Sequence, residues 1–293
     1  MKIRWKEDVK SPMQIREKEN VTYLIYDSFE KSGLVSHGFS TRLGGVSTGI
    51  YESMNLSFTR GDDKESVLEN YHRMARALGV DVHKIVASDQ THTTNVRLVT
   101  EADFGKGIFR EKDYHDVDGL ITNIPGITLA TFYADCVPLF FLDPVHHAIG
   151  LSHSGWRGTV QKMGKATLEQ MKEHFGTNPE EVLAGIGPSI CQDCYEVSED
   201  VAMEFAAVFP KEAVLKLGRR DGVEQKYQLN LWKANELVLL EAGIKKEHIS
   251  YPGICTCCNP EFLFSHRASH GKRGNLGAFL CLKERQNLTT ALD

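Results

Sequence analysis

Hydrophobic and polar positions along the chain predict strands and helices that are mixed throughout. Apolar runs predict strands at residues 21–29 and 35–41, and shorter strands near 85–87, 96–99 and 119–122. Residues 62–78 predict an amphipathic helix, because an acidic start precedes apolar residues on one face and Gly79 follows. The pattern favours an α/β or α+β fold in which sheets are covered by helices.

The segment 130–158, ATFYADCVPLFFLDPVHHAIGLSHSGWRG, is the most informative part of the chain. It predicts a strand at 127–133, a polar turn that carries Asp135 and Cys136, a strand from 139, and a strand at 148–151 that leads to His153. Such apolar runs are typical of central strands buried on both faces. Because a cysteine and a histidine then stand at neighbouring strand ends, the segment predicts a functional site.

The rest of the pattern predicts three more helices and one more strand. Thr159 is placed as the cap of a helix that ends at Gly176, and residues 182–186 form a strand. A helix at 198–209 has Ser198 as its N-cap, and a helix at 231–242 is closed by Gly243. With no linker or repeat, the chain is predicted to be a single domain over residues 1–293, with residues 1–20 as a candidate extension.

Composition narrows the choice of function class. The 293 residues are 41% hydrophobic and 25% charged, and the net charge of −5 with no dense basic stripe argues against a nucleic-acid partner. No apolar run reaches membrane-spanning length and the N-terminus lacks a signal-peptide core, so we expect a cytoplasmic protein with no membrane partner. In that compartment the seven cysteines are expected to be thiols or ligands.

Three separate motifs supply residues that could hold one metal ion. They are SDQTHTTNV with His92, ADCVP with Cys136 and HSGWRG with His153. One thiolate and two imidazoles match a catalytic zinc site, which commonly leaves a fourth position open. Two alternatives stay open: Cys136 as a nucleophile with a histidine base and Asp135 or Asp118 as orienting group, or Cys136 as a small buried side chain. The presence of two histidines favours the metal.

Seven motifs in this order resemble the YfiH/YlmD family, also described as laccase-domain or polyphenol-oxidase-like proteins. They lie between residues 36 and 267 and read FSTRLGGVSTGIYESMNLS, DQTHTTNV, DVDGLIT, ADCVPLFFLD, HSGWRG, GPSICQDCYEV, and CTCC followed by FSHR. The resemblance implies a single layered α/β sandwich, with metal ligands at His92, Cys136 and His153. It also implies a zinc-dependent purine nucleoside phosphorylase with adenosine deaminase activity. His266 departs from the family, which often has consecutive arginines after Phe-Ser.

The implied substrates are purine nucleosides (adenosine, inosine, guanosine or methylthioadenosine) and phosphate. Phosphorolysis needs groups that hold phosphate, and Arg42 and Arg60 are the candidates because forked guanidinium donors match its oxygens. Asn55 is a candidate substrate contact and His37 a candidate lining residue. The metal would polarise substrate or activate water, with Asp135 as a candidate acid or base for deamination.

Other functions remain as alternatives. A thiolate with two imidazoles also resembles a copper centre, but a laccase needs several coppers and the chain lacks dense His-x-His pairs. A non-catalytic binding protein stabilised by zinc would unfold when the metal is removed, and a Cys–His hydrolase would use Cys136 as its nucleophile. The cysteines at 191, 194, 255, 257 and 258 suggest a second metal, but Cys-Thr-Cys-Cys is too tight for a regular zinc arm, so we expect none there.

Overall fold

The computed structural model describes residues 2–7, 9, 12–221 and 224–284, and the ends of the predicted domain 1–293 lie outside them. The described residues form one domain of strands and helices. The strands are β1 (Gln14–Lys18), β2 (Val21–Ile25), β3 (Val35–Ser40), β4 (Ile85–Ala87), β5 (Val96–Leu98), β6 (Gly119–Thr122), β7 (Thr128–Tyr133), β8 (Val137–Asp143), β9 (Ala148–Ser154), β10 (Leu183–Ile186), β11 (Glu196–Val197), β12 (Leu215–Asp221), β13 (Glu224–Leu229), β14 (Ile249–Ser250) and β15 (Leu276–Leu282). The α-helices are α1 (Asp27–Ser32), α2 (Lys64–Leu78), α3 (Trp156–Val160), α4 (Met163–Phe175), α5 (Glu199–Val208), α6 (Lys211–Val214), α7 (Leu231–Glu241) and α8 (His266–Ser269).

Two six-stranded mixed sheets form the centre of the domain. The first has the order β1-β2-β3-β15-β7-β4 and the second the order β14-β10-β8-β9-β6-β5. Their facing sides share one apolar core, to which β7 and β15 contribute from the first sheet and β8 and β9 from the second. The chain passes from one sheet to the other through the short turn between β7 and β8, which is the turn that carries Cys136.

Strand β8 is apolar at consecutive positions because both of its faces are buried. Phe140 and Leu142 point into the core between the sheets, whereas Leu139 and Phe141 pack in the core on the opposite side, beneath the helices. Every residue of the strand is buried, as expected for a strand covered on both faces. The predicted central strands are therefore confirmed.

Helices cover the outer face of each sheet. Helix α2 packs Val67, Tyr71 and Met74 against the outer face of the first sheet. Helices α4 and α7 cover the second sheet, beside a small three-stranded sheet of order β11-β13-β12. The result is a layered α/β sandwich with mixed sheets, as predicted.

Several predicted boundaries differ from the structure. The first predicted strand stops at Ile25, because residues 27–32 form α1. Strand β9 continues to Ser154, so His153 lies within the strand and not after it. The predicted long helix capped by Thr159 is wrong: Thr159 lies inside α3, and Lys162, with φ +61°, separates α3 from α4. Ser198 is the N-cap residue of α5, as predicted.

The N-terminal residues contact the body of the domain. Trp5 forms a bridge with Ile254, and β1 pairs with β2 at the edge of the first sheet. Within the described residues, no helix is long and apolar enough to cross a membrane.

A substitution at Phe140 tests how much the core between the sheets contributes to stability. The Phe140 side chain is fully buried, with its ring centroid 5.4 Å from that of Tyr26 and 6.3 Å from that of Phe29. Phe140→Ala is expected to lower the free energy of unfolding by about 3–5 kcal/mol, because a cavity replaces a buried ring. Chemical denaturation measures the change, and Leu217→Ala, at a side chain 74% exposed, is the control with an expected change below about 0.5 kcal/mol.

Candidate functional site

Strand pairing brings the three predicted ligands together where the two sheets meet. His92 follows β4 of the first sheet, Cys136 occupies the turn into β8, and His153 lies in β9 opposite Pro138. Their ligand atoms all lie within 4.8 Å of one another, and Cys136 Sγ is 3.9 Å from His92 Nε2. Residues 17 to 61 positions apart in the chain thus form one compact group of donors.

Asp118 orients two of these three residues. Its fully buried carboxylate accepts hydrogen bonds from His153 Nδ1 at 2.7 Å and from the backbone N–H of His92 at 3.1 Å. It also accepts from the backbone N–H groups of Thr91 and Thr93 and from the Thr93 hydroxyl. Because Nδ1 of His153 is engaged, Nε2 is the nitrogen left to bind a metal.

The electrostatics of His92, Cys136 and His153 favour a Cys136 thiolate beside a protonated His153. Burial alone would raise the pKa of Cys136, but the charge of His153 and hydrogen bonds to His153 and His92 outweigh it and lower the pKa to about 6. Burial would lower the pKa of His153, yet the Cys136 thiolate and Asp118 raise it to about 9. A thiolate is the metal-binding form of cysteine, so Cys136 is in that form near neutral pH, whereas His153 must release a proton before its Nε2 can bind a metal.

Local backbone features leave space for these side chains. Gly155 sits so close that an added Cβ would lie 2.6 Å from His92 Cδ2 and 3.2 Å from Cys136 Sγ. His92 itself has φ +68° and Asp135 has φ +91°, conformations that cost free energy for non-glycine residues. The donor set, the orienting carboxylate and the space at Gly155 together fit a three-ligand metal site.

The trio lies in a cavity of about 480 Å³. His153 is only 3% exposed, Cys136 is half-buried and His92 is exposed, so the ligands run from the cavity floor to solvent. The lining comprises Leu56, Ser57, Phe58, Thr59, Arg60, Tyr71, Ala87, Ser88, Asp89, Gln90, His92, Gly107, Lys112, Phe132, Tyr133, Ala134, Cys136, His153, Arg273 and Asn275. It therefore combines a donor trio with aromatic rings and cations.

Three cations line the cavity: Arg60, Lys112 and Arg273. Arg60 donates to the Gly271 carbonyl, and Lys112 pairs with Asp89 and donates to the Ser88 carbonyl. Burial, followed by the nearby charge of Arg60, lowers the pKa of Arg273 to about 10, and its buried Nε has no hydrogen-bond partner in the described structure. Two guanidinium groups held near one another favour an anion between them.

Comparison with known proteins agrees with this geometry. The family model described as multi-copper polyphenol oxidoreductase laccase matches residues 36–283. Purine nucleoside phosphorylase YlmD of Bacillus subtilis is 39% identical over 251 residues, which cover 84% of this chain and 88% of that protein. The chain belongs to the YlmD/YfiH laccase-domain family. Adenosine deaminase RL5, from an unknown prokaryotic organism, is 35% identical over 244 residues, covering 82% of this chain and 91% of that one.

Solved structures of the family have the same fold. The crystal structure of the Bacillus licheniformis hypothetical protein YfiH matches with a TM-score of 0.85 at 31% identity, covering 92% of this chain and 99% of that one. YlmD from Geobacillus stearothermophilus matches with a TM-score of 0.84 at 31% identity, covering 93% and 100%. The predicted family and its layered fold are confirmed.

Of the other predicted site residues, only some line the cavity in the structure. Arg60 lines the cavity, but Arg42 does not: its guanidinium donates to the carbonyls of Glu52 and Pro260. Asp135 is also outside the lining, because its carboxylate accepts from the Thr256 hydroxyl at 2.6 Å and the Arg267 N–H at 2.7 Å. These contacts give both side chains a role in holding loops together.

His37 and Asn55 are buried and do not line the cavity. His37 is 3% exposed and accepts a hydrogen bond from the Tyr26 N–H at 2.8 Å, and burial lowers its pKa to about 3. Asn55 is fully buried, accepts from the Asn275 N–H and donates to Asp62. In this structure Asn55 therefore supports the cavity wall from behind, and His37 packs in the core away from the lining.

Sequence reasoning missed Arg273, Lys112 and Gln90 in the cavity lining. Gln90 makes a two-way contact with the Phe132 backbone, accepting from its N–H at 2.6 Å and donating to its carbonyl at 2.7 Å. This contact fixes the loop that carries His92. The Gln-x-His spacing in SDQTHTTNV was the available signal for Gln90, whereas no local motif distinguishes the two cations.

Asp118→Asn is expected to weaken metal binding about tenfold to hundredfold, because the substitution removes the charge that orients His153. Competition with a chromophoric chelator measures the affinity. Asp116→Asn is the matched control, since that neighbouring carboxylate accepts from the Thr91 hydroxyl but contacts none of the three ligands. Equal zinc affinity in Asp118→Asn and the native protein would contradict the orienting role.

Proposed function

We propose that the protein is a zinc-dependent purine nucleoside phosphorylase whose active site is the cavity around His92, Cys136 and His153. The observation that carries the proposal is the combination, in one cavity, of an oriented three-donor group and two neighbouring arginines. The first suits a catalytic metal and the second suits phosphate. The names of the YlmD relatives support the same reaction class.

Zinc held by His92 Nε2, Cys136 Sγ and His153 Nε2 would supply Lewis-acid polarisation at the cavity floor. The protein's own part is to keep these donors in place. Asp118 fixes the imidazole of His153 and the backbone at His92, while Gln90 anchors the same loop to β7. Such fixed positions lower the reorganisation needed during reaction.

Arg60 and Arg273 are the residues that bind phosphate in this proposal. Forked donors on two guanidinium groups can bind several oxygens of one phosphate and balance its charge. The unpartnered Nε of Arg273 provides a donor that no protein acceptor uses. Phosphate held there would be positioned to attack the ribose carbon that carries the purine. The new bond to phosphate replaces the bond to the purine, so the products are ribose 1-phosphate and the free purine.

The nucleoside base has an aromatic wall available. Phe58 stacks on the buried Tyr71, with centroids 5.6 Å apart and planes 9° apart, and Phe58 and Phe132 line the cavity. Flat apolar rings favour a planar purine. Lys112, held by Asp89, is the lining cation that can stabilise negative charge on the departing base. Adenosine, inosine, guanosine and methylthioadenosine share the purine and ribose parts that this arrangement recognises.

Adenosine deamination is the second activity that we propose for the same cavity. Similarity to adenosine deaminase RL5 favours it. Copper-dependent phenol oxidation is disfavoured. In the part of the chain that the structure describes, the trio and a four-cysteine group are the sites that could hold a metal, and neither supplies the additional imidazoles of a multi-copper centre.

Adenosine incubated with zinc-loaded protein is expected to give adenine only when phosphate is present. Chromatographic product analysis with and without phosphate measures this, and the same assay detects inosine from deamination. His153→Ala is expected to lose both products, because it removes a buried metal ligand. Adenine release that persists without phosphate, or in the variant, would argue against phosphorolysis at this site.

Arg273→Gln is expected to raise the KM for phosphate about tenfold to a hundredfold, because charge-assisted hydrogen bonds contribute about 1.5–3 kcal/mol. Arg42→Gln is the matched control, since its guanidinium binds carbonyls outside the cavity, and its phosphate KM should stay within about twofold of native. A raised KM for Arg42→Gln with no change for Arg273→Gln would reverse the assignment. Initial rates at varied phosphate and saturating nucleoside distinguish these outcomes.

A further inference from the structure

Four cysteines outside the cavity converge at one point in the fold. Cys191 and Cys194 lie in the loop after β10, while Cys255 and Cys258 lie in the loop after β14. The sulfur atoms of all four lie within 4.8 Å of one another. The Cys194–Cys258 and Cys191–Cys258 sulfur distances are 3.4 and 3.9 Å. The Cys-Thr-Cys-Cys segment, which looks too tight in sequence for a regular zinc arm, therefore lies against a second pair of cysteines.

The spacing of the four cysteines becomes clear once Cys257 is set aside. Residues 191–194 and 255–258 are two Cys-x-x-Cys arms, and Cys257 does not belong to the group of four. Paired Cys-x-x-Cys arms are the usual donors of a closed, four-coordinate zinc site. Because Cys257 lies between Cys255 and Cys258, the Cys-x-x-Cys pattern of residues 255–258 is hard to recognise in the sequence.

We propose that Cys191, Cys194, Cys255 and Cys258 form a structural zinc site that joins the two loops. Tetrahedral coordination with Zn–S bonds of about 2.3 Å requires sulfur atoms about 3.8 Å apart, close to the separations in this group. Four thiolates leave no position for a substrate, in contrast to the three donors in the cavity. This proposal does not depend on the proposed function of the cavity.

Hydrogen bonds to sulfur support a metal-binding arrangement. The backbone N–H groups of Cys191 and Cys258 both donate to Cys255 Sγ, at 3.2 and 3.4 Å. Lys6, which pairs with Asp193 at 3.0 Å, also places its positive charge near Cys191. Donors and a cation around the sulfur atoms offset the negative charge of four thiolates.

The site has a structural consequence for the cavity. Thr256, between two of the cysteines, donates its hydroxyl to Asp135, which is the residue before Cys136. Arg267 donates its backbone N–H to the other Asp135 oxygen and its guanidinium to the Cys194 carbonyl. The tetrathiolate site thus holds in place the loops that bind Asp135. Asp135 lies in the turn that carries Cys136, one of the three donors in the cavity.

Metal content tests the proposal. Native protein purified from zinc-supplemented cells is expected to hold about two zinc ions per chain, one in the cavity and one in the tetrathiolate site. His153→Ala and Cys258→Ser should each hold about one, and the double variant about none, by elemental analysis. Cys257→Ser is the matched control in the same loop and should retain both ions. A Cys258→Ser protein with the native zinc content would overturn the proposal.

Thiol labelling of native protein provides a second test if Cys258→Ser does not fold. Alkylation followed by peptide mass spectrometry should leave these four cysteines unlabelled until a strong chelator is added. Cysteine labelling that is equally fast with and without the chelator would overturn the proposal. A disulfide between any two of the four, or iron and sulfide in place of zinc, would also overturn it.

Discussion

The buried carboxylate of Asp118 is the constraint on which the site depends. A fully buried charge is costly unless donors surround it, and here five donors from residues 91–93 and 153 do so. Charge-assisted hydrogen bonds contribute about 1.5–3 kcal/mol each, enough to offset about 1–3 kcal/mol of backbone strain at His92. The loop that carries His92 has little apolar surface of its own, so Asp118 determines its position.

Asn55 has a comparable role at the other end of the cavity. Its amide joins the loop of Arg60, through Asp62 and Ser57, to the N–H of Asn275 beside Arg273. Residues more than 200 positions apart are thereby held in one wall. An added Cβ at Gly274 would lie 2.9 Å from Asn55, which shows how closely these loops approach. Buried polar groups, more than apolar packing, set the spacing of the cations.

The sequence predicted the strands and motif residues that depend on local pattern. It did not predict the cavity residues whose positions depend on contacts between distant loops. Apolar runs identified β4 and β6 with their observed bounds, and the motifs identified all three cavity donors. Strand pairing explains that success, because neighbouring strand ends bring His153 and Cys136 together. Arg273 and Lys112 could not be distinguished from surface cations, since their position depends on loop contacts. Arg42, Asn55 and His37 were chosen by residue type and local motif, and they lie outside the cavity lining because of their burial or their contacts with carbonyl groups.

The two cysteine-containing groups differ in a way that separates their roles. The trio offers three donors, stands on a cavity and includes an exposed histidine, so it can accept a further ligand. The four-cysteine group has two buried members and no open position, so it can only hold its loops together. Asp135 links them: its carboxylate binds the loops behind it, while its backbone continues into Cys136. The position of the Cys136 sulfur then depends on the closed cluster, since the same turn serves both.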